Sequence, residues 1–191
     1  MNNCTLSQRE VRIATIELQL RDLAALRAAC WLLRWELRAG QRTYRAFGRP
    51  GQPCAHAIGV PGCAFEIGLI DQGGHWLPAW DAGPAPDLDA ALGPRGLNLW
   101  RSYLRETIRR ASQPRGHTFN QHTDIGGVLR VRIGGSLSQH SAHVRMAADG
   151  ATSLWTFGPG AWEAFRYLGE ALGRLDDACL SDGEPDDPVS R

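Results

Sequence analysis

The sequence predicts an α+β fold: an antiparallel β-sheet with helices packed on one face, plus a C-terminal β-hairpin-helix unit. Three observations carry this. Short alternations of apolar and polar residues outnumber the helical stripes, which occur only at 21–35, 97–112 and 158–175. Tight-turn pairs, among them Pro61-Gly62, Gly73-Gly74 and Asp149-Gly150, separate the alternating runs. Hairpin-linked strands with few intervening helices favour antiparallel over parallel pairing.

RIATIELQL (12–20) puts Ala14, Ile16, Leu18 and Leu20 on one face of a strand, and Ile13, Thr15, Glu17 and Gln19 on the other. In RDLAALRAACWLLRW, Leu23, Leu26, Ala29, Cys30 and Leu33 recur at helical spacing with Asp22 in the first turn, so Cys30 falls on the buried stripe. Short strands are predicted at Trp35–Arg38, Arg42–Phe47, His56–Val60, Ala64–Ile70 and Trp76–Trp80, with Gly48 to Pro53 as a turn. AGPAPDLDAALGPRG reads as a loop holding one helical turn at DLDAAL. LNLWRSYLRETIRRAS gathers Leu97, Trp100, Leu104, Thr107, Ile108 and Ala111 on one helix face, and its arginines cluster where the helix dipole favours cations. GHTFNQHTDIGGVLRVRI is strand, corner at 124–127, and strand.

SAHVRMAADGATSLWTF is a hairpin, and the helix after it lines up Trp162, Phe165, Leu168, Ala171, Leu172 and Leu175. These segments predict an α+β domain over 1–134, a hairpin-helix appendage over 135–178 and a disordered acidic tail over 179–191.

The 191 residues are 43% hydrophobic and 21% charged with a formal net charge of +1, so bulk electrostatics point to neither nucleic acid nor membrane. All 21 basic residues are arginine, which excludes lysine Schiff bases and P-loop chemistry. Five irregularly spaced cysteines argue against a disulfide framework, and the N-terminus shows no apolar leader; both predict a cytoplasmic protein.

Among candidate sites, Cys54, His56, Cys63 and His75 are the residue types of a zinc centre. In an extended strand Cys54 and His56 would share a face, but no C-x-x-C pair accompanies them, and buried cysteines acting as small hydrophobes are the alternative. His117, His122, His140 and His143 could converge if their strands pair, although no carboxylate stands at ligand spacing. Arg101, Arg105 and Arg109 form a helical stripe suited to phosphate, nucleic acid or an acidic partner. Trp31, Trp100, Trp155 and Trp162 fit core positions, whereas Trp76 and Trp80 share a strand face and are candidates for a docking surface. No nucleophile elbow, dinucleotide fingerprint or other catalytic signature is present, so no catalytic residue and no cofactor is expected.

IATIELQLRDLAALRAACWLLRWEL resembles the opening of a small family of unknown function found in cyanobacteria, algal chloroplasts and other bacteria, encoded beside an AAA+ ATPase. That family begins with a strand and a "dL-x-x-L-x-x-A" helix. FEIGLIDQGGHWLPAWD is similar to its hairpin, LNLWRSYLRETIRRAS to its tyrosine-bearing helix with Tyr103 at the tyrosine, and GHTFNQHTDIGGVLRVRI to its closing hairpin. The resemblance covers roughly residues 10–134. VRMAADGATSLWTFGPGAWEAFRYLGEALGRL resembles a second small family encoded with the first, through its Asp-Gly turn and the run from Leu168 to Gly173; Trp162 stands near that family's cysteine. The two resemblances imply a fusion of the partners and an accessory role beside an AAA+ ATPase, with no catalytic residues to carry over. The sequence thus predicts a non-enzymatic accessory or adaptor protein, with a metal- or cysteine-dependent enzyme and an arginine-helix phosphate or nucleic-acid binder as alternatives.

Overall fold

The computed structural model describes residues 11–134, 141–158, 161–175 and 179–180. The expected α+β architecture is present. In chain order the elements are β1 (Val11–Leu18), α1 (Leu23–Leu33), β2 (Glu36–Ala39), β3 (Thr43–Ala46), β4 (Arg49–Pro53), β5 (His56–Gly59), β6 (Glu66–Asp71) and β7 (Trp76–Ala79). Then come α2 (Pro86–Leu92), α3 (Leu97–Ser112), β8 (Thr118–Thr123), β9 (Leu129–Gly134), β10 (Ser141–Met146), β11 (Thr152–Phe157), α4 (Ala161–Leu172), β12 (Gly173–Leu175) and β13 (Cys179–Leu180).

The described strands form three antiparallel sheets rather than one. The largest runs β12-β1-β11-β10-β9-β8, with β13 also on β1; a second runs β2-β5-β6-β7; the third is the β3-β4 hairpin. Of the run from Gly48 to Pro53, expected as a turn, Arg49 to Pro53 therefore supplies β4, an edge position where Pro50 and Pro53 cost no ladder bond on the solvent side. The boundary expected at 134/135 does not divide the sheet: β1 pairs with β11 from Val11↔Phe157 to Ile16↔Thr152, so strands from both sides of it interleave. Cys179 and Leu180, expected in a disordered tail, pair with Ile13 and Arg12; the rest of that tail, 181–191, lies outside the described residues.

One core joins the inner face of the large sheet (Ala14, Val131, Val144, Leu154) to Leu104 and Ile108 of α3 and to Phe165, Leu168 and Leu172 of α4. The other joins Leu26, Ala29 and Cys30 of α1 and Leu88 and Leu92 of α2 to Ile58, Ile67 and Leu69 of the second sheet. Helix α3 serves both, because Leu99 and Tyr103 turn into the second core. That is why it buries residues beyond the single face expected of it, including Glu106 and Ser112. The Tyr103 hydroxyl accepts the N–H groups of Arg21 and Asp22 at 3.0 and 3.1 Å, fixing the link between β1 and α1 to α3. Asp22 caps α1 by accepting from Ala24 and Ala25 at 2.8 and 3.0 Å.

The β3-β4 hairpin covers the other face of the second sheet. Tyr44 lies flat on Gly68, where a Cβ would stand 2.3 Å from Cδ1 of the ring. Beside it Glu66 is 2% exposed, and its carboxylate accepts Arg38, the Arg45 N–H at 2.9 Å, the Arg45 guanidinium at 3.3 Å and Gln41 at 3.3 Å. Gly59 between them has no side chain to block Arg38, whose Nη2 would lie 3.2 Å from a Cβ there. A buried carboxylate needs this many donors to offset its lost hydration.

Candidate docking surface

The Cys/His group is not brought together. Cys54 sits where the chain turns from β4 into β5, its thiol donates to the Gln41 carbonyl at 3.2 Å, and it packs with Tyr44 and Ala57 under the hairpin. Cys63 packs instead against the helix-side core. The turn breaks the extended run that would have aligned Cys54 with His56. His56 accepts the Gly40 N–H at Nδ1 (2.9 Å) and meets the Trp76 ring edge-on at 4.8 Å, while His75 lies in the β6-β7 turn. Among the described residues no three His, Cys, Asp or Glu side chains gather in a metal-holding arrangement. Burial pushes the Cys54 and Cys63 thiols up and the His56 imidazole down from their ordinary values, which suits packed neutral side chains.

The described members of the outlying histidine group have separate roles. His117 Nδ1 lies 3.0 Å from the Tyr167 hydroxyl, His122 stands opposite Arg130 on β8-β9, His143 stacks on Trp155, and His140 lies outside the described residues.

The arginine stripe of α3 is engaged within the chain. Arg101 donates to the Gly127 carbonyl, Arg109 Nε lies 2.8 Å from Glu106, and Arg105 Nε lies 3.7 Å from the same carboxylate. Glu106 thus answers two of the three cations. A cleft of about 330 Å³ opens beside this helix between Arg21, Asp22, Arg110 and Glu170, where Arg110 and Asp22 pair at 3.2 Å.

Trp76 and Trp80 do not form the outward pair expected of them. Both pack against the second core, and the Trp80 indole donates to Asp89 Oδ1 at 3.2 Å, so their strand face is the covered one. Leu77, between them in alternation, points outward.

The exposed aromatic that stands out is Trp31, expected in the core and 77% exposed. Helix α1 explains it. Its buried stripe is Ala25, Leu26, Ala29 and Cys30; the opposite face carries Ala24, Arg27, Trp31 and Leu32, with Ala28 half-buried at its margin. Arg27 is the only charged residue of the helix, so α1 is apolar nearly all round although only half of it is covered. Helices with that composition are normally enclosed. The helix ends on Arg34 in the left-handed region (φ 59°), whose N–H donates to the Cys30 and Trp31 carbonyls and closes the last turn. Trp162 is likewise exposed, but it stacks on Phe165 at 5.6 Å.

The chain matches no protein-family model and, at a significant level, no curated protein. Its own surface chemistry therefore carries the functional argument.

Proposed function

We propose that this chain is a non-enzymatic accessory or adaptor protein that docks onto a protein partner through the outer face of α1, with Trp31 as the anchor. The partner that the sequence resemblance suggests is an AAA+ ATPase or its assembly, and a cytoplasmic location goes with it. The observation that carries the reading is Trp31, 77% exposed on a helix whose outer face is alanine and leucine with a single arginine. Burying a large apolar side chain is worth about 1.5–3 kcal/mol, which this fold forgoes and a complex would recover. Tryptophan is among the side chains that most often dominate protein interfaces. No helix among the described residues is long and apolar enough to cross a membrane, which fits docking onto a protein rather than insertion in a bilayer.

Co-purification of the tagged full chain from its native host, with partners identified by mass spectrometry, tests the reading. The expected result is an AAA+ ATPase at a fixed ratio with wild type and its loss with Trp31→Ala. A chain that purifies alone, or a complex indifferent to Trp31→Ala, would overturn it.

A further inference from the structure

The large sheet has a second face. Helices α3 and α4 cover the side that bears Val131, Val144 and Leu154, and the residues alternating with these enter none of the three cores. The strand registers arrange them in transverse rows. One row reads Trp155–His143–Arg132–Asn120 across β11, β10, β9 and β8. The next reads Ser153–Arg145–Arg130–His122, and Phe157 stands opposite Ser141 on the other side.

Two features of these rows point to one ligand chemistry. The first is a π surface. His143 stacks on Trp155 with centroids 5.6 Å apart and planes 11° from parallel, and Phe157 meets His143 edge-on at 5.5 Å. The second is charge. Arg145 and Arg130 are directly opposite across β10 and β9, a like-charge pairing that costs stability, and Arg132 lies two residues along from Arg130. Among the described residues one carboxylate answers them, Asp124 at 3.6 Å from Arg130, while Arg132 and Arg145 are exposed and form no ion pair.

We infer that this face binds single-stranded nucleic acid, with bases stacking on the Trp155–His143 platform and phosphates on Arg130, Arg132 and Arg145. An acidic peptide would satisfy the arginines but would not stack on the Trp155–His143 pair. A duplex would keep its bases stacked on one another and away from the rings. The four strands span about 14 Å at roughly 4.8 Å spacing, room for two or three nucleotides, as on other four-stranded sheets that stack bases. A formal charge of +1 for the whole chain is compatible with this, because the cations are local to one face. The inference is independent of α1, which lies on the far side of α3 in the other core.

Fluorescence anisotropy of the full chain with labelled ten-nucleotide dT and U strands, at 50 and 200 mM salt, tests it. Three phosphate contacts predict a single-strand salt slope near −2, so binding weakens about twentyfold between those salts. Arg132→Glu and Arg145→Glu, both at exposed positions, each weaken binding and flatten the slope. Trp155→Ala weakens it about tenfold with the slope unchanged, and Trp155→Phe, which keeps a ring, stays within about threefold of wild type. Binding of either strand supports the site, and a preference between them assigns the sugar. The inference is overturned by no binding at 50 mM salt, by equal binding of a duplex or of polyglutamate, or by affinity that ignores both charge reversals.

Discussion

Glu66→Gln isolates the group that fastens the β3-β4 hairpin to the second sheet. The carboxylate takes four donors, from Arg38, Gln41 and both the backbone and the guanidinium of Arg45, and the amide can accept on one atom only. Leaving a part-buried N–H such as that of Arg45 without an acceptor costs up to about 1–3 kcal/mol. The two arginine contacts add less than a buried pair would, because the Arg38 and Arg45 side chains are 35% and 61% exposed and regain water. Together the loss is about 2–4 kcal/mol, most of it confined to the hairpin, which opens ahead of the rest. Urea denaturation reads the total, and trypsin reads the location, since the bonds after Arg42 and Arg45 are cleavable on this segment, whereas the Arg49–Pro50 bond resists the protease. The variant should be nicked first between 42 and 49, with wild type resistant there. An unfolding free energy within about 0.5 kcal/mol of wild type, or first cleavage elsewhere, would refute the view that Glu66 clamps the hairpin.

Three further outcomes follow from the same geometry. Gly68→Ala forces the Tyr44 ring off the sheet and should cost about 1–3 kcal/mol in the melt; in a Tyr44→Ala background the added cost should vanish. Burial pushes the Asp22 carboxyl up, but the Ala25 N–H, the Arg110 guanidinium and the Ala24 N–H outweigh it and hold the group below its ordinary value. A carboxyl lowered on folding stabilises above the unfolded range and loses that contribution as pH falls through its folded value. Urea midpoints between pH 6 and pH 3 should therefore fall further for wild type than for Asp22→Asn, and parallel curves would contradict the assignment. Burial raises the Cys30 thiol to about 12, so it should resist alkylation at pH 8 until the chain unfolds; labelling of native Cys30 at the rate of a free thiol would show the site is open.

Local periodicity was a good guide wherever one face alone is buried. Strand β1, the Asp22-capped helix, α3 and the β8-β9 and β10-β11 hairpins stand close to where alternation and turn residues put them. It failed where burial is two-sided or the partner is distant in the chain. Helix α3 packs on two cores, so Leu99 and Tyr103 fell outside a one-face reading. The β1–β11 ladder links positions about 140 residues apart, and no local signal marks it, which is why a boundary at 134 looked natural. The Arg-Pro-Gly-Gln-Pro run of β4 carries turn residues that an edge strand tolerates.

The candidate sites were less legible for a related reason. Residue type located the cysteines, histidines and tryptophans, but for those on strands the sheet face each occupies depends on turns such as the one at Cys54. Trp31 was legible in principle, since it lies off the stripe of Leu26, Ala29 and Cys30; its hydrophobicity argued for the core against its position. Glu66 gave one overlooked signal, a carboxylate opening the apolar run EIGLI. The outer face of the large sheet was hidden by ordinary alternation, in which His143 and Arg145 simply alternate with Ala142, Val144 and Met146.

The docking claim is tested most directly by a photoreactive residue placed at position 31 of the full chain in its native host. The account predicts an efficient cross-link from position 31 to an AAA+ ATPase subunit, none from the same probe at Asp149 in the β10-β11 turn, and a melting temperature unchanged by either probe. An absent cross-link at position 31, or equal yields from both positions, would contradict it.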